Sequence, residues 1–447
     1  MMKIVMAKEC SRRELEQLLV KPAFDAVELN PAARQKLAAL FGCELSPREA
    51  VERIIGDVRA TGDHAVFDYT ARLDGAVINR DTIEITEAEF AAAPALIDPA
   101  VLAALRRAVA NVRRYHEEQR PKSFFSYRQQ GAMLGQACLP LERVGIYVPG
   151  GKASYPSSVI MNAVPATVAG VRDIIMAVPP ARDGSVNPLV LAAAREAGVT
   201  RAFRMGGAQA IAALAFGTET VPRVDKIAGP GNLFVTLAKK AVYGYCDIDM
   251  LAGPSEILII ADAGADARYV AADMLSQAEH DELAAAVLLT DSAELAARVQ
   301  DELTRRLADL PKREIAAISL EQRGLILVTA SLDEAVEFAN LAAPEHLEIL
   351  TAEPFALLPR IRHAGAIFLG PWSPEPLGDY YAGPNHVLPT GGTARFYSVL
   401  NVESFMKRSS VISYTREALA AASDDIITLA EAEGLAAHAR AVAVRRE

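Results

Sequence analysis

Apolar and polar positions follow two different periods along this chain, and the change falls near residue 144. Before it the spacing predicts helices. "SPREAVERIIGDVRATG" carries a capping box, Ser46 with Glu49, with Pro47 at the first helical position and Gly62 as a stop. "TEAE" from Thr86 repeats the box. "DPAVLAALRRAVANVRRYHEEQR" opens on Asp98 and Pro99, and Val101, Leu102, Leu105, Val109 and Val112 share one helical face. From Val144 short apolar runs alternate with helical segments. "VGIYVPGG", "DIIMAV", "RAFRMGG" and "VDKIAGPG" read as strands and turns, separated by helices such as "SSVIMNAVPATVAG", "NPLVLAAAREAG" and "AQAIAALAFG" and followed by "NLFVTLAKKAVYG". Runs that are apolar on both faces predict a parallel sheet covered by helices.

A second alternating series follows, with "EILIIAD", "AAVLLTD", "LILVT", "LEILT" and "AGAIFLG" as its strands. Two such series, about 110 residues each, predict an α/β protein with two doubly wound parallel-sheet lobes. "PWSPEPLGDYYAGPNHVLPTGG" is rich in Pro and Gly and predicts loop; a short stretch and a terminal helix from about Arg416 come after it. Ala-Gly-Pro recurs at 228, 252 and 382 without a fixed period, which is turn chemistry and not a repeat.

Composition narrows the class. A chain of 447 residues has material for two or three domains. No apolar run approaches the ~18 residues of a membrane span, and the N-terminus turns charged too soon for a secretory signal. Four cysteines (Cys10, Cys43, Cys138, Cys246) without CxxC spacing predict free thiols in a reducing, cytoplasmic setting. A net charge of -10 with interspersed Lys and Arg weighs against nucleic acid as a partner.

Several polar constellations interrupt the apolar pattern. In "MLSQAEHDEL", with Asp266 as N-cap, Gln277 and His280 are i, i+3 neighbours, so they read either as metal ligands or as a polar helix end. In "APEHLEIL", Pro344 favours extended backbone, and the Glu345–His346 pair stands directly before a buried strand. The pair reads as a general base beside a water-activating carboxylate, or as a polar strand start. The Pro/Gly loop displays Asp379, Tyr380 and His386, a setting for a metal ligand or a structural loop. Glu433 and His438 lie five apart, pointing about 140° from each other on a regular helix unless Gly434 breaks it. Gln209 and Asn232 follow strands and open helices, where phosphates bind, yet no GxGxxG accompanies them. His64, His116 and His363 carry no assigned role.

Taken together, "GIYVPGG", "MGGAQAIAALAFGT", "AGPGN", "AGPSE", "SQAEH", "APEHLE", "GDYYAGPNHVLPTGGTARF" and the Glu433/His438 tail resemble the histidinol dehydrogenase family over nearly the whole chain. The resemblance implies a homodimeric, zinc-dependent enzyme that oxidises L-histidinol through histidinal to L-histidine with two NAD+. It implies zinc held by Gln277, His280, Asp379 and His438, the last from the neighbouring subunit. Glu345 and His346 would be catalytic, Ser255, Tyr380 and Glu433 would join the zinc ligands and the catalytic pair in holding substrate, and Tyr147, Gln209 and Asn232 would contact NAD. The lobes would be incomplete Rossmann folds. It further implies a helical segment over 1–45, a zinc-binding lobe from 46–143 plus 253–388, an inserted NAD lobe over 144–252, and an extended dimerisation tail over 389–447. Two alternatives stay open: a related zinc/NAD dehydrogenase of another small amino alcohol or polyol, and a zinc hydrolase in which Glu345 activates water.

Overall fold

Strand residues alternate between two apolar faces, and this alternation builds the two parallel sheets of the computed structural model, which describes residues 2–21, 29, 31–150 and 155–446. Gly151 of the "GIYVPGG" turn, part of the 1–45 segment and the last residue of the tail lie outside the described residues. The first sheet has five parallel strands in the spatial order Arg201–Arg204, Asp173–Val178, Arg143–Tyr147, Lys226–Ala228, Asp247–Ile248. Ile174 and Met176 enter the core on one face, and Ile175 and Ala177 enter the core on the other.

The second sheet has six parallel strands: Lys3–Met6, Leu325–Val328, Ala285–Thr290, Glu256–Ala261, His346–Leu350, Ala366–Leu369. Ile257 and Ile259 face one core, Leu258 and Ile260 the other. Counted from its first strand, each lobe has the doubly wound order 3-2-1-4-5; the second adds Lys3–Met6 at one edge. Each order reverses between the first and fourth strands, which separates neighbouring loops and opens a crevice there.

Two expectations need correction, and one element is additional. The segment 1–45 is not purely helical, because Lys3–Met6 is an edge strand; four residues are too few to show a period. Residues 46–143 bury their apolar stripes chiefly on the first lobe, with helix Pro99–Glu117 also touching the 381–387 loop. Helix Pro47–Thr61 buries Val51, Ile54 and Val58 with Ile211 and Leu214 of the first lobe, and helix Pro99–Glu117 buries Leu105, Val109 and Val112 with Val159 and Val164. Finally, a three-stranded antiparallel sheet was not foreseen: Met133–Pro140 lies between Phe124–Tyr127 and Met406–Ser413.

The tail is split by this pairing. Leu400, Val402 and Phe405 are buried in the first lobe, whereas helices Arg416–Ala432 and Ala436–Ala443 leave Leu429 and Leu435 exposed. Gly434 sits between the two helices with φ of 73° and breaks the run, as glycine readily does. The capping boxes at Ser46 and Thr86 form as their spacing predicts. Among the described residues no single helix is long and apolar enough to cross a membrane.

Candidate active site

At the reversal point of the second sheet, strands Glu256–Ala261 and His346–Leu350 run side by side. The polar residues gather at the amino ends of these strands, not at the carboxyl ends where open α/β sheets usually bind ligands. Pro344 forces the chain out of the preceding helix, Ala343 takes a left-handed conformation (φ of 49°), and His346 begins the strand. Both members of the Glu345–His346 pair are buried. The backbone of Glu256 holds them: its N–H donates to Glu345 Oε2 at 2.8 Å, and its carbonyl oxygen lies 3.0 Å from His346 Nδ1.

A carbonyl oxygen only accepts, so Nδ1 carries the proton, and Nε2 of the neutral ring presents a lone pair. That Nε2 is buried and has no hydrogen-bond partner among the described residues; Glu375 Oε1 lies 3.9 Å from it. Burial holds the imidazole below its ordinary pKa, with the negative charge of Asp379 and the Glu256 carbonyl working against the shift. Burial also pushes the Glu345 carboxyl well above the ordinary range; the Glu256 N–H opposes this, and the nearby carboxylates Glu256, Asp379 and Glu375 add to it.

His280, Glu375 and Asp379 converge so that their ligand atoms lie within 4.8 Å of one another. Helix Ala267–Ala278 carries Gln277 in its last turn, and His280 lies just beyond its end. The two are therefore not neighbours on a regular helix. A tighter turn, with His280 N–H donating to the Gln277 carbonyl at 3.2 Å, keeps them together. Gln277 is fully buried, and neither side-chain amide atom has a partner among the described residues.

Asp379 and Tyr380 lie on a short helix, Glu375–Tyr380, where the Pro/Gly content predicts loop. Proline is tolerated in a first helical turn, so Pro374 and Pro376 start this helix instead of forbidding it. The helix puts Glu375 and Asp379 on one face. Burial, together with the charge of Asp379, pushes the Glu375 carboxyl up, while the His386 ring, Nδ1 3.5 Å from Asp379 Oδ1, holds Asp379 down against its own burial.

Glu375 is the acid that the sequence reading missed. Its i, i+4 spacing to Asp379 was the available signal, hidden by the expectation of loop. Glu348 was missed too; its Oε1 accepts the Glu375 N–H at 2.8 Å. Ser255, partly buried, directly precedes Glu256 at this edge. Glu433, in the turn after helix Arg416–Ala432, and His438, on helix Ala436–Ala443, are exposed, and within one chain no described contact joins them to the cluster.

The first lobe presents a second polar site, at the carboxyl ends of its strands. Tyr147 ends the central strand, and Gly229 packs so closely on the Tyr147 backbone that any side chain there would collide with it. The Gly207 N–H donates to the Tyr147 hydroxyl at 3.1 Å. Gln209, in the first turn of helix Gly207–Phe216, is fully buried, and neither amide atom has a partner among the described residues. Asn232 caps helix Leu233–Val242, its Oδ1 accepting from the N–H groups of Phe234 and Val235 at 3.0 and 3.2 Å.

Comparison with known proteins finds relatives over nearly the whole chain. A family model described as histidinol dehydrogenase matches residues 44–446. A histidinol dehydrogenase of Heliobacterium mobile is 61% identical over 397 residues, covering 89% of this chain and 93% of the relative. One of Moorella thermoacetica is 54% identical over 426 residues, covering 95% and 100%. The solved structure of a histidinol dehydrogenase from Elizabethkingia anophelis superposes with a TM-score of 0.90 at 34% identity, covering 99% of this chain and 98% of that one. A match that runs through both lobes and the tail makes the conclusion direct: this chain belongs to the histidinol dehydrogenase family.

Proposed function

We propose that this chain oxidises L-histidinol to L-histidine through histidinal, in two successive NAD+-dependent steps at the cluster around His346. The observation that carries this reading is the orphaned Nε2 of His346. It is a neutral, buried base with a fixed tautomer, one residue from a carboxyl group. Family membership supplies the substrate: the relatives are named for histidinol.

The donor set suits a zinc ion. Gln277, His280 and Asp379 offer oxygen and nitrogen ligands without a thiolate, and the unpartnered Gln277 amide is a buried polar group that lacks the partner such groups ordinarily have. His438 of the partner subunit would complete the set, and its exposed tail position is what a donated ligand requires. Bound zinc would supply a Lewis acid that holds the substrate's nitrogens, and NAD+ would accept each hydride.

The chain's own residues then act as follows. His346 Nε2 takes the hydroxyl proton as hydride leaves the carbinol carbon, giving the aldehyde. Glu345 takes a proton from water as that water adds to the aldehyde carbon, and protonated His346 returns its proton to the former carbonyl oxygen, giving the hydrate and a neutral His346 again. His346 removes a proton from this hydrate as the second hydride leaves, and the carboxylic acid that forms ionises to the carboxylate. Ser255 and Tyr380 of the same chain, with the partner's Glu433, would orient the substrate. Tyr147, Gln209 and Asn232 would hold the dinucleotide. The chain would work as a homodimer in the cytoplasm, consistent with its four free cysteines.

The test is to strip metal with a chelator, restore zinc, and follow NADH absorbance with histidinol and NAD+. Activity that is lost and then regained supports the reading. Full activity in protein shown to be metal-free by elemental analysis overturns the zinc assignment. Zinc-loaded protein that produces no NADH but hydrolyses esters or amides favours the hydrolase alternative.

A further inference from the structure

Asp74 has no counterpart in the site as assigned so far. It follows helix Asp63–Leu73, far in sequence from the first lobe's sheet, yet packing of the 47–73 helices delivers it to the carboxyl end of that sheet. Its Oδ2 is buried with no hydrogen-bond partner among the described residues. Its Oδ1 lies against Gly206, where a side-chain Cβ would stand 3.4 Å away. The next residue, Gly207, opens helix Gly207–Phe216 in a left-handed conformation (φ of 59°), and its Cα faces Gln209 Oε1, which a Cβ there would approach to 2.8 Å. The Gly207 N–H donates to the Tyr147 hydroxyl, and Asp74 lies close enough to add to the upward shift of that hydroxyl's pKa.

Three polar side chains therefore meet around the Gly206–Gly207 turn. Among the described residues, one is a fully buried glutamine with both amide atoms unpartnered, and one is a carboxylate with a buried, unpartnered oxygen. Burial alone raises the Asp74 carboxyl to about 6, so the group has lost water without gaining a donor. Such groups are rare in folded proteins unless a ligand satisfies them. The carboxylate only accepts, so the ligand must bring hydroxyl or amide donors. The adjacent helix start and close-packed glycines suit a phosphate and its sugar.

We propose that Asp74 is a further cofactor-binding residue, whose carboxylate accepts from the ribose hydroxyls of the dinucleotide beside Tyr147 and Gln209. The inference rests on the NAD reading of this lobe and deepens it. A carboxylate at a ribose diol also disfavours a phosphate on that sugar, by charge repulsion and by loss of a donor.

The test is equilibrium binding of NAD+ to the zinc-loaded enzyme by calorimetry, for the parent, Asp74→Asn, Asp74→Ala, Tyr147→Phe and Gln209→Ala, with thermal unfolding as a check on folding. NADP+ and the KM for histidinol are measured alongside. Loss of one charge-assisted hydrogen bond weakens NAD+ by about tenfold or more in both Asp74 variants, leaves the KM for histidinol in place, and narrows the gap between NAD+ and NADP+. NAD+ affinity unchanged in the Asp74 variants but weakened in Tyr147→Phe or Gln209→Ala overturns the role of Asp74 and leaves the lobe's NAD reading intact. NAD+ affinity unchanged in all four variants overturns both. Parallel increases in the NAD+ and histidinol constants would assign Asp74 a structural role, and this also overturns the proposal.

Discussion

His346 Nδ1 lies 3.0 Å from the backbone carbonyl oxygen of Glu256, whose own N–H is bonded to Glu345, so a single residue of the neighbouring strand fixes both members of the pair. The Glu256 side chain extends the arrangement. Its Oε1 accepts from the Gly391 N–H at 2.8 Å and its Oε2 pairs with Lys21 at 2.6 Å. Strand register, the loop after His386 and the N-terminal segment thus bear on one base.

Replacing His346 by Gln removes the base and keeps much of the volume. The turnover number should fall by about 10²–10⁴-fold, the range of a lost general base, while zinc content and NAD+ affinity are retained. Steady-state kinetics with elemental analysis checks this. A loss confined to KM would point instead to a substrate-binding role.

Glu345→Gln should separate the two oxidations. Only the second consumes water, so single-turnover NADH from histidinal should suffer more than single-turnover NADH from histidinol. Equal losses in the two steps would contradict the assignment of water activation to Glu345.

The exposed tail makes a prediction about assembly. His346→Ala damages a site from within its own chain, and His438→Ala damages the ligand donated to the other chain. Each homodimer should be nearly inactive. Refolded together at equal amounts, about half of the dimers are mixed and about one quarter of all sites carry neither defect. Activity fixed at the level of the single variants, with mixed dimers demonstrated, would mean that His438 serves its own chain.

His116 predicts a pH effect on stability. It is fully buried, its Nδ1–H donates to the Val112 carbonyl at 2.8 Å, and the Asn385 amide stands 3.4 Å from Nε2. Burial holds its folded pKa below the ordinary 6.5, against the Val112 hydrogen bond. As pH falls through 6.5 the unfolded chain takes up the proton first, so stability begins to drop there and stops dropping at the folded pKa. Raised carboxyls such as Glu345 and Glu375 act in the opposite sense, so the effect is read as a difference: from about pH 8 to pH 5.5 the denaturant midpoint of the parent should fall relative to that of His116→Asn. Identical slopes in the two proteins would remove His116 as the cause.

Much of the fold was legible because parallel strands buried on both faces leave long apolar runs. All five strands foreseen in the second lobe, "EILIIAD" to "AGAIFLG", correspond to observed ones. Lys3–Met6 and Met406–Ser413 were not legible, since the first has only four residues and the second is largely exposed along its length. Helix Glu375–Tyr380 was hidden by its prolines and with it Glu375, because a site assembled by side-chain convergence has no sequence period. The Glu345–His346 pair was visible for the opposite reason: two ionisable residues stood at the edge of a strand otherwise apolar enough to be buried. Packing of the 47–117 helices on the first lobe could not be read from their amphipathic stripes, which show that a partner surface exists but not which one.

The most direct measurement is the yield of NADH per histidinol consumed by the purified, zinc-loaded enzyme with excess NAD+. Each oxidation delivers one hydride, so the account predicts a yield of about two, with histidine as the only product. A yield of about one with histidinal accumulating, or no NADH at all, would contradict it.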